Sequence, residues 1–175
     1  MNIDGCHLIE PQVFEDERGY FFESFNKARF RQQTGHSGEF VQDNQSYSVY
    51  GVIRGLHFQT GAKAQAKLVR VIEGRIWDVF VDLRKESPTY GQWTGVELSA
   101  DNRQQLFLPA GFAHGFSVLS PGALVAYKCD AYYDAAAEGG IKYNDPDLAI
   151  DWKVPAAQQL VSAKDQLLPN FQSLN

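Results

Sequence analysis

Cysteine is scarce in this chain. Cys6 and Cys129 are the only two in 175 residues and form no Cys-x-x-Cys pair, so no disulfide framework is expected and a reducing compartment is. No apolar run approaches the roughly 20 residues a membrane-spanning helix needs, so no membrane partner is expected. The opening "MNIDGCHLIEPQ" lacks a basic stretch followed by an apolar one; it reads as no signal peptide, and a cytoplasmic location is expected. Positive charge is in deficit too: 16 Lys and Arg against 21 Asp and Glu give a formal net charge of −5. That argues against broad nucleic-acid binding, which wants a basic face. It leaves room for a small anion gripped by a few converging arginines. Repeats, linkers and low-complexity tracts are missing, so 1–175 is expected to form a single domain.

What is present is mostly strand. "QAKLVRVIEG" (65–74) alternates Lys67, Val69 and Val71 against Leu68, Arg70 and Ile72. "RIWDVFVDLR" (75–84) alternates Trp77, Val79, Val81 and Leu83 against Ile76, Asp78, Phe80 and Asp82. The Glu73-Gly74 step between them reads as a hairpin turn. Asp78 and Asp82 either face water or line a polar barrel interior. Further short strands are expected at 19–25, 40–43, 52–58, 94–99, 105–109, 114–119 and 123–130. Their even spacing, with Gly, Pro and Asn punctuation, predicts an all-β sandwich or barrel. Helix is expected only at 26–35, ending on Gly35, and as a turn or two within 155–171.

Two stretches carry chemistry. "LPAGFAHGF" (108–116) contains a Pro-x-Gly-x-x-His turn that re-enters a sheet, and it matches the second motif of the cupin superfamily of small jelly-roll barrels. A metal-binding cupin supplies His-x-His from its first motif. Here "GLHFQ" offers His57, Phe58 and Gln59, and one imidazole with one amide is poor equipment for iron, manganese or zinc. His7 and His36 fall at a strand start and in a loop. A proton-carrying role therefore suits His57 better than a metal, and no metal is expected. Arg18, Arg54, Lys67, His114, Tyr127 and Tyr133 all lie in strand-like or strand-end segments. Burying that many cations and phenols costs stability unless they are paired or bind something. Either they converge on a ligand or several form a solvated outer face.

Across almost its whole length the chain resembles the dTDP-4-dehydrorhamnose 3,5-epimerases, cupins that act without metal on nucleotide-linked 4-keto-6-deoxy sugars. The match is carried by "FEDERGYFFESF" (14–25), "VQDNQSYS" (41–48), "GVIRGLHFQ" (51–59), "QAKLVRVIEGRIWDVFVDLRKESPTYGQW" (65–93), "LPAGFAHGF" (108–116), "YKCDAYYDAAAEGGIKYNDPDLAIDW" (127–152) and "SAKD" (162–165). The resemblance implies a double-stranded β-helix with a few short peripheral helices. It implies epimerisation of dTDP-4-dehydro-6-deoxy-D-glucose at C3 and C5, in dTDP-rhamnose biosynthesis, with no cofactor. His57 corresponds to the family's general base, Asp165 to the carboxylate orienting it, Tyr127 to the general acid, and Lys67 to the lysine beside the keto oxygen. Arg18, Glu23, Gln42, Asp43 and Asn44 fall where the family binds nucleotide and sugar. Arg54, His114, Glu138 and Lys164 do so as well, and Phe21 and Tyr133 are expected to pack along the same ligand. Ala135 stands where the family often has proline, which puts the 133–140 loop in question. The resemblance further implies a homodimer that exchanges N-terminal strands. A C3-only epimerase shares these residues and remains open, with a metal-dependent oxygenase and a silent sugar-nucleotide binding module as more distant readings.

Overall fold

The computed structural model describes residues 3–174. The chain begins with β1 (His7–Ile9) and the hairpin β2 (Val13–Asp16) and β3 (Gly19–Phe22), followed by helix α1 (Lys27–Thr34). The helix starts where the Asn26 side chain accepts from the N–H groups of Ala28 and Arg29. It stops at Gly35, whose φ of 71° lets its N–H return to the Arg31 carbonyl. Then come β4 (Gln42–Val49), β5 (Val52–Gln59), β6 (Lys67–Glu73) and β7 (Arg75–Asp82). They are followed by β8 (Trp93–Ser99), β9 (Gln105–Leu108), β10 (Phe112–Val118) and β11 (Gly122–Cys129). The C-terminal part adds β12 (Glu138–Gly140), β13 (Leu160–Val161) and the four-residue helix α2 (Ala163–Gln166).

These strands form two main sheets, ordered β1-β9-β6-β11-β4 and β12-β5-β10-β7-β8, with β13 running parallel beside β5. Val69, Leu106 and Val125 of the first sheet share one apolar cluster with Ile76, Phe80 and Leu98 of the second. Each such buried side chain contributes about 1.5–3 kcal/mol. The result is the expected all-β jelly-roll barrel with short peripheral helices.

The expected hairpin at Glu73-Gly74 is not formed. β6 pairs with β9 and β11, whereas β7 pairs with β10 and β8. Gly74, at φ 78°, is instead a corner at which the chain leaves one sheet for the other. β4 also outruns the expected 40–43. Its polar composition reads as loop, yet it pairs with β11 from Gln42 to Val49.

The outer faces are covered differently. Phe30 of α1 packs with Leu68 and Phe107 on the first sheet. Ile141, Trp152 and Phe171 pack with Val79, Val81 and Ala113 on the second. β7 is therefore buried on both faces, which is why it reads as nearly continuous apolar residues. Asp78 and Asp82 lie on its inward face with no solvent exposure, so they line the interior and do not face water. Asp82 is held there by Arg84 and by the hydroxyls of Ser87 and Thr89, at 2.6–2.9 Å. Burial pushes its carboxyl up, but these donors outweigh it and hold it well below the ordinary range.

Candidate active site

The site starts from a defect in the pairing of β5 with β10. His114 faces His57 and Phe116 faces Arg54, so Gly55 and Leu56 on β5 together oppose the single Gly115 on β10. Residues three apart on a regular strand point to opposite faces; one extra residue cancels that parity. Arg54 and His57 thereby both line one cleft of about 760 Å³ at the mouth of the barrel. The bulge sits at Gly55 (φ 118°), where a Cβ would lie 2.7 Å from the Gly115 Cα and 2.8 Å from the His114 carbonyl oxygen. Only a glycine fits a backbone approach this close.

His57 meets Asp165 across 108 residues of sequence, Nε2 to Oδ1 at 2.8 Å. Asp165 is buried and sits in α2, where its own N–H caps onto the Ser162 hydroxyl at 3.0 Å. Its second oxygen accepts from the Gly55 N–H at 3.1 Å. Burial raises the Asp165 pKa, but the hydrogen bonds from His57 and Gly55 win and leave it below the usual carboxylate value. A carboxylate only accepts, so Nε2 of His57 carries the hydrogen and Nδ1 is left for the cleft.

The facing sheet supplies the other wall. Directly paired residues share a face, so Lys67 lies with Cys129, and Tyr127 with Asn44 and Val69. Lys67, Tyr127, Asn44 and Gln42 all line the cleft. Burial pushes the Lys67 ammonium below its ordinary pKa, partly opposed by the charges of Cys129, Asp78 and Glu138. Lys67 forms no ion pair among the described residues. Burial also raises the Tyr127 phenol, and the charge of Cys129 adds to that against Arg54. Arg54 is steadied at the cleft wall by its Nε donating to the Ser48 hydroxyl at 2.9 Å.

At the rim, Glu138 accepts from Lys164 (2.7 Å) and from the Tyr133 hydroxyl (2.8 Å). The lysine contact, aided by the Tyr133 hydroxyl, outweighs the upward push of burial and leaves Glu138 below its ordinary pKa. The Tyr133 N–H donates to Gln42 Oε1 at 2.9 Å. His114 also lines the cleft, its Nε2 held by Asp78 at 2.9 Å.

Four sequence-selected residues are not brought into this cleft. Asp43 lies on the opposite face of β4, by strict alternation with Gln42 and Asn44, and pairs with Lys128 at 2.9 Å. Arg18, Phe21 and Glu23 belong to or follow the β2–β3 hairpin, which stands apart from the cleft. Arg18 is tied to Asp16, Phe21 is 69% exposed, and Glu23 contacts Asn26 and Arg29. Conversely, residues not selected as site residues help build the site. Gln59, which occupies the place of a second imidazole, divides its amide between the 61–63 turn and the 131–134 loop. Its Oε1 accepts from the Asp134 N–H at 2.6 Å, and its Nε2 donates to the Lys63 carbonyl at 2.8 Å. Gln65 donates to the Ala131 carbonyl at 2.7 Å. Only their positions beside the His57 and Lys67 motifs hint at this. Asp78 and His114 were each visible in the sequence, but their pairing was not.

An all-β jelly roll whose open end gathers two His–Asp pairs, a half-buried lysine and a half-buried tyrosine is a cupin-type enzyme. The family model described as dTDP-4-dehydrorhamnose 3,5-epimerase matches residues 1–173. A protein of that name from Methanothermobacter thermautotrophicus is 55% identical over 166 residues, covering 94% of this chain and 89% of its own. The crystal structure of the Elizabethkingia anophelis protein of the same name superposes with a TM-score of 0.96. It is 55% identical and covers 100% of this chain and 96% of its own. The Legionella pneumophila dTDP-6-deoxy-D-glucose-3,5-epimerase, solved in complex with dTDP-4-keto-L-rhamnose, gives 0.96 at 47% identity, with 100% and 92% covered. The chain belongs to the dTDP-4-dehydrorhamnose 3,5-epimerase family and is an isomerase.

Proposed function

We propose that this chain epimerises dTDP-4-dehydro-6-deoxy-D-glucose at C3 and C5, giving dTDP-4-dehydro-L-rhamnose for rhamnose biosynthesis. The observation that carries the reading is the 2.8 Å His57–Asp165 pair, set in one cleft with Lys67 and Tyr127. Epimerisation beside a ketone removes a carbon-bound proton from one face and returns one to the other. Nδ1 of His57 takes the first proton, and Asp165 steadies the imidazolium that forms. The electrons flow into the C4 carbonyl, and the Lys67 ammonium stabilises the resulting enolate oxygen by about 3–4 kcal/mol. Burial keeps the Tyr127 phenol protonated, so it has a hydrogen to deliver to the opposite face. C3 and C5 both flank the ketone, so a shift of the sugar ring presents each to the same groups. The electrons return to the carbon they left, and the step needs no redox partner.

Arg54 and Lys164 are the cations this cleft offers to the diphosphate. Gln42 and Asn44 offer amide hydrogen bonds to the thymine, and Tyr133 offers a ring at the rim. Arg18, Phe21 and Glu23 fit the same reading if two chains pair and each sends its β2–β3 hairpin to the other's cleft. Their exposure and their distance from their own cleft support that homodimer. Sedimentation that returns only monomer would remove it. Turnover in heavy water tests the reaction itself: deuterium at both C3 and C5 of the product is expected. Label at C3 alone would make the enzyme a monoepimerase, and no label would refute the chemistry.

A further inference from the structure

Two histidines of the cleft each hold a carboxylate, and the two pairs are built differently. Asp165 divides its charge between His57 Nε2 and the Gly55 N–H. Asp78 turns both oxygens to a single atom, at 2.9 and 3.0 Å from His114 Nε2. Among the described residues nothing else hydrogen-bonds to the Asp78 side chain, which is wholly buried. Burying a carboxylate for one partner is a poor way to gain stability, because desolvation offsets most of the attraction. The arrangement does fix a ring. A carboxylate only accepts, so Nε2 of His114 must carry the hydrogen, and the lone pair resides on Nδ1, the nitrogen left to the cleft. His114 stands directly opposite His57 across the β5–β10 pair, so this lone pair borders the space where His57 works.

We propose that Asp78 is a positioning residue: it locks His114 so that Nδ1 accepts a hydrogen bond from a hydroxyl of the bound sugar. An acceptor needs a partner bearing hydrogen, and the hydroxyls are what a dehydro-deoxy sugar offers beside its ketone. The contact fixes the ring against His57 while Lys67 takes the ketone. This inference rests on the reading that the cleft binds a keto sugar.

Nitrogen-15 NMR of the wild-type protein, with His114 assigned by comparison with His114→Gln, reads the ring directly. A proton on Nε2 and a bare Nδ1 are expected; a proton on His114 Nδ1 overturns the proposal. Asp78→Asn keeps the side-chain shape, but an amide holds an imidazole weakly and in the other tautomer. It is expected to lower kcat/KM by about 10- to 100-fold, with dTDP affinity changed less than about twofold and the His114 proton moved off Nε2. Unchanged kcat/KM in Asp78→Asn, or loss of the nucleotide affinity in step with it, also overturns the proposal. Asp78 supports the Lys67 charge as well, and the ring signal separates that route from this one. Absence of solvent exchange into substrate by the wild type would refute the functional reading while leaving the His114 signal to judge the pair.

Discussion

Gly55→Ala probes the step that puts Arg54 and His57 on the same face. The added Cβ meets two backbone atoms, the Gly115 Cα at 2.7 Å and the His114 oxygen at 2.8 Å, and neither can swing aside as a side-chain end could. Forcing such overlap into a packed site costs about 1–3 kcal/mol. Holding alanine at φ 118° costs about another 1–3 kcal/mol. The sum, about 2–6 kcal/mol, is a large share of a typical domain's 5–15 kcal/mol. For a chain of this length it lowers the melting temperature by about 5–20 °C. Relief comes by parting β5 from β10, which displaces His57 from Asp165 because the Gly55 N–H is itself an Asp165 ligand. Thermal unfolding followed by circular dichroism, with turnover measured well below the transition, tests this. A melting temperature within about 2 °C of wild type together with full turnover would refute the account of the bulge.

Lys67→Met keeps the length of the side chain and removes its charge; kcat should fall about 10²- to 10³-fold with a small change in KM, and a pure KM effect would place the ammonium elsewhere. Tyr127→Phe should still release a carbon-bound proton, seen as deuterium entering recovered substrate, while epimeric product falls sharply; full activity would dismiss the phenol as the acid. Asp165 has a folded pKa below its unfolded value of about 3.9. Its stabilisation is therefore complete above that pH and fades as pH falls through the folded value. Asp165→Asn should accordingly be less stable than wild type at pH 7, by about 1–3 kcal/mol, with the gap closing in acid below pH 4; a gap constant down to pH 2 would contradict the pairing.

Local chemistry made parts of this molecule readable. The glycine stop of α1 and the alternation in β6 and β7 follow from residue types within a few positions. The same local reading misjudged Gly74, because a left-handed glycine serves a hairpin and a sheet-to-sheet corner equally well, and only the partners of β6 and β7 tell them apart. Asp43 lies off the cleft for a related reason: once β4 is known to run from Gln42 to Val49, alternation turns that carboxylate away from it. Asp78 and Asp82 could be assigned to one face but not to the interior, since the donors that make their burial tolerable come from β10 and the 84–89 turn. The cleft was the least legible of all. Nothing in spacing links His57 to Asp165 or reveals a one-residue bulge; family resemblance alone pointed to the pair.

The claim at the centre is that one imidazole, held by Asp165, removes hydrogen from carbon. Incubating His57→Ala with the keto sugar in heavy water, alongside a dTDP binding measurement, tests it most directly. The expected result is no deuterium at C3 or C5 with nucleotide affinity kept within about threefold; label entering either carbon at the wild-type rate would contradict it.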